Sequence, residues 1–342
     1  MSKVVVTGAT GFIGSHIIVQ LLNEGHEVVG TMRNLKRAES MREIFAQETD
    51  KLNLLSFVTL DLMKDEGWDE AFDGADYVIH VASPVPSQTP KHEDDIIEPA
   101  RQGAMRALKA ASGAGVKRLV LTSSIAAIMY GHEKGKTHFN EEDWTNPKDK
   151  KDNSAYTKSK TLAERGAWEF IAKDESGLEL ATVNPGMVLG PVLESDYGVS
   201  PLVALKLFDG SFPGTPKIGF PIVDVRDVAR LHLLAMTHPK ANGERFIAAN
   251  SFMWMSDIAR VLKEKLPDKS GKVPTRNLPT WLMRILANFD KEVKSVAFEL
   301  DRYREASTDK AERLLGWEMR SNEEAIVATA ESLMKYGAIK PG

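Results

Sequence analysis

Residues 4–14, Val4-Val5-Val6-Thr7-Gly8-Ala9-Thr10-Gly11-Phe12-Ile13-Gly14, decide how the rest of the chain is read. A short apolar run ends in a glycine turn, and the turn opens a helical pattern carried by Ile17, Ile18, Leu21 and Leu22. A strand running through such a turn into a helix suits a dinucleotide pyrophosphate. Backbone N–H groups and the positive helix end face the phosphates, and glycine lets the backbone approach them closely. The spacing is GxxGxxG, on Gly8, Gly11 and Gly14, rather than the commoner GxGxxG. Three glycines alone can simply make a loop; the strand before and the helix after give these their meaning. The expected cofactor contacts here are Gly8, Thr10, Gly11, Phe12, Ile13 and Gly14.

Composition narrows the function. A chain of 342 residues suffices for one large domain or about one and a half ordinary ones, and its apolar content supplies a core. The formal charge of -4 gives no reason to expect nucleic acid or an acidic membrane surface as partner. The absence of cysteine excludes disulfides, cysteine nucleophiles and thiolate metal sites, and no metal is expected. Met1-Ser2-Lys3 leads directly into the first strand and no apolar run approaches membrane-spanning length, so the expectation is a cytoplasmic protein.

Outward from the turn, strand patterns at 3–7, 27–32, 54–60, 76–82, 117–123 and 178–183 alternate with helical patterns near 12–24, 36–49, 91–112 and 154–173. That alternation predicts βαβ units and an α/β fold: a doubly wound parallel sheet covered on both faces. Ligands of such sheets bind beyond the carboxyl ends of the strands, where Arg33, Asp61, Ser83, Ser124 and Asn184-Pro185-Gly186 gather. After residue 185 the pattern turns irregular and rich in proline. A strand-like Phe246-Ile247-Ala248 and a mainly helical tail from Met255 follow. The expected division is a nucleotide-binding domain of residues 1–185 plus 221–250, and a smaller, mostly helical substrate domain of 186–220 plus 251–342.

Tyr156 and Lys160 stand four residues apart, on one face of a helix. A lysine charge beside a phenol stabilises tyrosinate, lowers the phenol's pKa and makes it a usable general acid. Spacing alone does not single out this pair, because three of the six tyrosines have a lysine four residues on. Tyr130 and Lys134 straddle Gly131, so no helix holds them; Tyr336 precedes Gly337 near the C-terminus. Only Tyr156 opens a credible helix, with Ala163, Ala167 and Ile171 on its buried stripe. Thr122-Ser123-Ser124 ends the fifth strand, where a hydroxyl can hydrogen-bond a substrate carbonyl and hold it for protonation. The second strand ends Thr31-Met32-Arg33, with Met32 where NAD enzymes place a carboxylate. Arg33 would instead accommodate the 2′-phosphate of NADP, with Lys36 and Arg37 adding charge nearby.

Taken together, TGATGFIG, His80-Val81-Ala82-Ser83-Pro84, residues 117–124, YTKSKTLAE, Asn184 to Pro191 and the tail from Lys310 to Trp317 span nearly the whole chain. In them the chain resembles an extended short-chain dehydrogenase/reductase. Within that group it is similar to the dihydroflavonol 4-reductase-like and cinnamoyl-CoA-reductase-like enzymes. The resemblance implies a Rossmann-type fold and a catalytic triad of Ser124, Tyr156 and Lys160, the last two also touching the cofactor. It implies Asp61 and Leu62 against adenine, Val81, Ala82 and Ser83 on the ribose side, and Pro185, Met187 and Val188 at the nicotinamide. Many short-chain reductases carry an asparagine in the helix after the fourth strand; Ala100-Arg101-Gln102-Gly103 offers none, so a water relay through it is unsupported.

The implied chemistry is NADPH-dependent reduction of an aldehyde or ketone by a monomer or homodimer. Dihydroflavonol reductases place an asparagine against the flavonoid where this chain has Met129. A thioether suits an adaptable apolar wall instead. Val85, Ile128 and Phe220, with Met187, Leu193 and Leu205, would extend that wall around a bulky, weakly polar carbonyl compound. The alternatives are a 3β-hydroxysteroid dehydrogenase-like enzyme, a nucleotide-sugar epimerase or dehydratase, and a non-catalytic NADP-binding protein.

Overall fold

The computed structural model of the chain describes residues 1–84, 92–194 and 200–339. Its first half runs β1 (Lys3–Thr7), α1 (Phe12–Asn23), β2 (Glu27–Met32), α2 (Ala38–Phe45), β3 (Leu55–Thr59), α3 (Trp68–Phe72), β4 (Tyr77–His80), α4 (Asp94–Gly113), β5 (Arg118–Thr122), β6 (His138–Phe139), α5 (Ala155–Ile171) and β7 (Glu179–Pro185). The second half begins with β8 (Met187–Leu189), α6 (Ser200–Phe208), β9 (Thr215–Pro216), β10 (Gly219–Asp224), α7 (Val225–Thr237), β11 (Arg245–Ala248), β12 (Phe252–Trp254) and α8 (Met255–Lys265). It closes with β13 (Asn277–Leu278), α9 (Thr280–Leu286), α10 (Lys291–Val296), β14 (Glu305–Ala306), α11 (Asp309–Leu315) and α12 (Asn322–Lys335).

Seven strands form one parallel sheet in the order β11-β7-β5-β4-β1-β2-β3. The three valines that opened the sequence argument explain its double winding. Val4 and Val6 pack on one face with Ile17, Ile18 and Leu21 of α1, whereas Val5 packs on the other with Phe72 and Leu119. A strand buried on both faces reads as a continuous apolar run, and these three residues are fully buried. Helices α1 and α7 cover the first face; α4 and α5 lie together on the second. The chain leaves β1 toward β2 and β3, then returns across it to β4 and β5. The strand order therefore reverses between β1 and β4, and a crevice opens at their carboxyl ends.

A third cluster joins Leu189, Leu207 and Ile222 to Ile258, Leu262 and Leu333, around a small sheet in the order β12-β10-β8. The C-terminal tail contributes to two cores, because Ala311, Leu315 and Trp317 pack into the first cluster with α7. Among the described residues, no helix is long and apolar enough to cross a membrane.

The sheet strands agree with the sequence patterns to within about two residues at each end. The helix expected over 36–49 differs. A 3-10 turn, Leu35–Arg37, precedes α2, which ends at Phe45. Asn34 caps that turn: its side chain accepts the Lys36 N–H at 3.0 Å.

Trp317 is 2% exposed, and its Nε1 donates to the Asp227 carbonyl at 2.9 Å. Trp317→Ala should lower stability by about 3–5 kcal/mol. Chemical denaturation checks this, and a loss under about 1 kcal/mol would mean that the tail does not complete the first core.

Candidate active site

The glycine turn is shaped by close approach. Gly8 sits at φ +76°, and a Cβ there would lie 3.1 Å from the Ala82 backbone. A Cβ on Gly14 would come within 2.3 Å of the Gly8 carbonyl oxygen, which forbids any side chain. Helix α1 starts on Gly11 with no side-chain cap and no acidic residue in its first turn. Its first N–H groups and its positive end are thus left for an anion. These residues fit a dinucleotide pyrophosphate.

Around the crevice, the structure places the expected residues as follows. Met32 is buried, while Arg33 and Lys36 are exposed just beyond β2. Arg37 is engaged elsewhere, paired with Glu194 at 2.5 Å. Asp61 closes a turn by accepting the Met63 N–H, and Leu62 packs against Gly103 of α4. Val81, Ala82 and Ser83 follow β4 and are half-buried, as is Met187 on β8; Val188 beside it is buried. Val85 lies outside the described residues.

Helix α5 starts in a capping box. Ser154 Oγ accepts the Thr157 N–H and Thr157 Oγ1 accepts the Ser154 N–H, which fixes Tyr156 in the first turn. The Ser124 hydroxyl lies beside the Tyr156 phenol and acts on it. Burial pushes the phenol above its ordinary pKa and the Ser124 hydroxyl opposes it. The expected source of that opposition was Lys160. The lysine is buried on the same helix, but its Nζ donates to the Thr122 carbonyl at 3.4 Å, so Ser124 is the group acting on the phenol. Burial brings Lys160 itself down to about 8, with the Glu164 charge pulling the other way. Of the two serines, Ser123 donates to Glu164 Oε2 at 2.5 Å. Ser124 also faces the Pro185 carbonyl at 3.5 Å.

The two decoy tyrosines are placed differently. Tyr130 is buried beside Glu299 outside any helix, and Tyr336 caps the end of α12. Ile128 and Met129 are wholly buried, in the cluster against which Tyr156 packs. Leu193 joins the first core, while Leu205 and Phe220 are half-buried against the third. A cavity of about 10 Å³ lies between Lys160, Glu164, Ser123 and Ser83; from α4 it receives only the methyl groups of Ala100 and Ala104.

Sequence reasoning passed over Thr7, Glu164 and Arg245. Thr7 Oγ1 accepts the N–H groups of both Val81 and Ala82 at 3.1 Å. Glu164 repeats the four-residue spacing of Tyr156 and Lys160, a signal that could have found it; nothing local marks Arg245 as its partner.

Comparison with known proteins identifies a matching family and similar chains. Residues 4–249 match a family model described as the NAD dependent epimerase/dehydratase family. Tetraketide alpha-pyrone reductase 2 of Arabidopsis thaliana is 36% identical over 78% of this chain and 84% of its own. The NADPH-dependent methylglyoxal reductase GRE2 of Saccharomyces cerevisiae is 31% identical, with 98% of each chain aligned. The crystal structure of yeast methylglyoxal/isovaleraldehyde reductase Gre2 complexed with NADPH is similar at a TM-score of 0.81 and 29% identity. That match covers 98% of this chain and 100% of the other.

Gly14→Ala tests the turn. Alanine is the better helix former by about 1 kcal/mol, yet its Cβ has no room against Gly8. Affinity for a nicotinamide dinucleotide, followed by fluorescence titration, should fall at least about tenfold, a loss of about 1.4 kcal/mol. Unchanged affinity would show that the cofactor does not use this turn.

Proposed function

Since the chain belongs to the NAD dependent epimerase/dehydratase family, as an extended short-chain dehydrogenase/reductase, we propose that it reduces a bulky, weakly polar aldehyde or ketone to the alcohol with NADPH, reversibly. The observation that carries this reading is the meeting of three groups at the carboxyl edge of the sheet: the Tyr156 phenol, the Ser124 hydroxyl that acts on it, and Lys160 one helical turn away, bonded to the Thr122 carbonyl. NADPH, when bound, supplies the hydride. Ser124 and Tyr156 hold the carbonyl oxygen, and Tyr156 gives it a proton. Burial keeps the phenol protonated near neutral pH, so the proton is in place, and the Ser124 hydroxyl opposes the rise in pKa that would make it a weaker acid. In the reverse direction the phenol must first lose its proton, so alcohol oxidation favours alkaline solution.

Arg33 and Lys36 support a 2′-phosphate, since buried Met32 supplies no carboxylate for a ribose hydroxyl. That feature also favours a reductase over a nucleotide-sugar epimerase, which keeps NAD. Residues 186–220 and 251–342 would form the substrate side, with Phe220, Met187 and Leu205 offering apolar surface. The relatives' names cover a small dicarbonyl and a bulky pyrone, so the preference for a bulky, weakly polar carbonyl rests on this chain's apolar residues and not on those names.

A hydrogen bond to a charged group contributes roughly 1.5–3 kcal/mol, or roughly ten- to a hundred-fold. NADPH should therefore exceed NADH in kcat/KM, and Arg33→Ala should remove most of the difference. Equal efficiency in the parent protein would refute the assignment of Arg33.

Tyr156→Phe keeps the ring but removes the transferable proton, so kcat should drop by roughly two to four powers of ten. Tyr130→Phe and Tyr336→Phe should stay within a few-fold of the parent. NADPH consumption with a panel of aromatic and aliphatic carbonyls, with thermal melts alongside, makes the comparison. Loss of activity confined to Tyr130→Phe would place the chemistry elsewhere.

A further inference from the structure

Beneath the site lies a carboxylate that the chemistry above does not use. Glu164 is fully buried on α5, one turn beyond Lys160. Its Oε2 accepts from Ser123 Oγ at 2.5 Å and from Asn184 Nδ2 at 2.8 Å. Its Oε1 accepts from Arg245 Nε at 2.6 Å, with Trp168 Nε1 further out at 3.4 Å. Each neighbour is a donor, which is the surrounding an ionised carboxylate requires.

Two consequences follow from these partners. The first is positional. Ser123 immediately precedes Ser124, and Asn184 Nδ2 spends its second proton on the Ser124 carbonyl at 3.2 Å. Asn184 also precedes Pro185, whose carbonyl faces Ser124 Oγ. One carboxylate thus ties the carboxyl ends of β5 and β7 together on either side of the Ser124 hydroxyl.

The second consequence is electrostatic. Glu164 lies between two buried cations, Arg245 and Lys160. Arg245 is held by the Glu141 and Asp143 carbonyls at 2.7 Å each and stacks on Trp144. It cannot leave the carboxylate without exposing a buried charge. The other titratable neighbours are few. His80 faces Lys160 from β4 and is kept neutral by burial, at about 3; Tyr156 faces it from its own helix. Glu141 lies on the far side of Arg245.

We propose that Glu164 is a positioning residue and counter-charge for the reaction: it fixes Ser124 against the Asn184-Pro185 segment and keeps Lys160 protonated, while Arg245 takes up part of its negative charge. The catalytic part of this inference rests on the reductase reading; the coupling of Glu164 to Lys160 does not. The coupling has a sign that a purely structural role lacks. Removing the carboxylate leaves Lys160 buried with no counter-charge, so it loses its proton at lower pH. Removing Arg245 leaves Lys160 as the cation facing an otherwise unshared carboxylate, so it keeps its proton to higher pH.

The experiment compares the parent with Glu164→Gln, Arg245→Met and the double variant. Glu164→Gln strands the Arg245 charge and can fail to fold, whereas the double variant removes both charges and is the folded control. Lys160 protonation is followed by nuclear magnetic resonance of lysine labelled at Cε, assigned with Lys160→Met. The pH profile of NADPH-dependent carbonyl reduction is recorded beside it. Glu164→Gln should move the Lys160 midpoint down by about one pH unit or more, Arg245→Met should move it up, and the double variant, which loses both charges, should move it down by less than Glu164→Gln. The alkaline limb of kcat/KM should follow in the same directions, and Glu164→Asp should restore the parent profile. Midpoints that stay put in folded variants, or move the same way in both single variants, would overturn the proposal. Opposed midpoints in a protein that reduces no carbonyl would uphold the coupling and sink the reductase reading instead.

Discussion

Thr7 Oγ1, on the last residue of β1, accepts two backbone N–H groups from the segment after β4 and lies 2.9 Å from His80 Nδ1. Both acceptor positions of the hydroxyl are used, so its proton goes to Nδ1 and the imidazole carries its own proton on Nε2. Burial holds His80 at about 3, so the ring stays neutral and this set of bonds survives across the physiological range. The strand order reverses between β1 and β4, and the crevice exists because the chain leaves these two paired strands toward opposite faces of the sheet. Thr7 pins their carboxyl ends at a fixed separation. Ala82 is thereby drawn so close to Gly8 that no side chain fits comfortably between them.

Helix α5 carries the other constraint. Tyr156, Lys160, Glu164 and Trp168 recur every four residues, so one helical face delivers a phenol, an ammonium, a carboxylate and an indole N–H to the sheet edge. The sheet answers with complementary groups: the Ser124 hydroxyl for the phenol, the Thr122 carbonyl for the ammonium, and the Ser123, Asn184 and Arg245 donors for the carboxylate. Burying such charges is costly when they are unpaired; here the ammonium has a partner on β5 and the carboxylate has partners on β7 and β11. The alanines at 163 and 167 give the helix its close seat on the second core.

Much of this was legible in the chain alone. The parallel sheet followed from alternating periods, and the glycine turn from its place between Val6 and Ile17. Tyr156 stood apart from Tyr130 and Tyr336 because glycines disqualify the other two. What escaped depends on contacts between distant segments. Nothing beside Arg37 in sequence announces Glu194, which removes that guanidinium from the cations left exposed at the end of β2. The Lys160 charge was expected to act on the phenol. Which neighbour acts on which depends on side-chain directions that spacing alone does not set, and here Ser124 takes that part. Helix α2 is shorter than its pattern because the segment opens in a 3-10 turn capped by Asn34 and the helix ends at Phe45.

The position of Trp317 bears on how the molecule is made. Its indole, with Ala311 and Leu315, completes a core whose other members begin at Val4, and β11 adds the outermost sheet strand only after residue 244. A ribosome delivers the chain from its N-terminus at roughly 5–20 residues per second, so the glycine turn emerges long before the tail that closes the face behind it. Until then, apolar surface on α7 stands open to solvent. The nucleotide-binding half is therefore the first to be synthesised and among the last to be finished, and nascent chains stalled short of Trp317 carry the exposed surface that chaperones recognise.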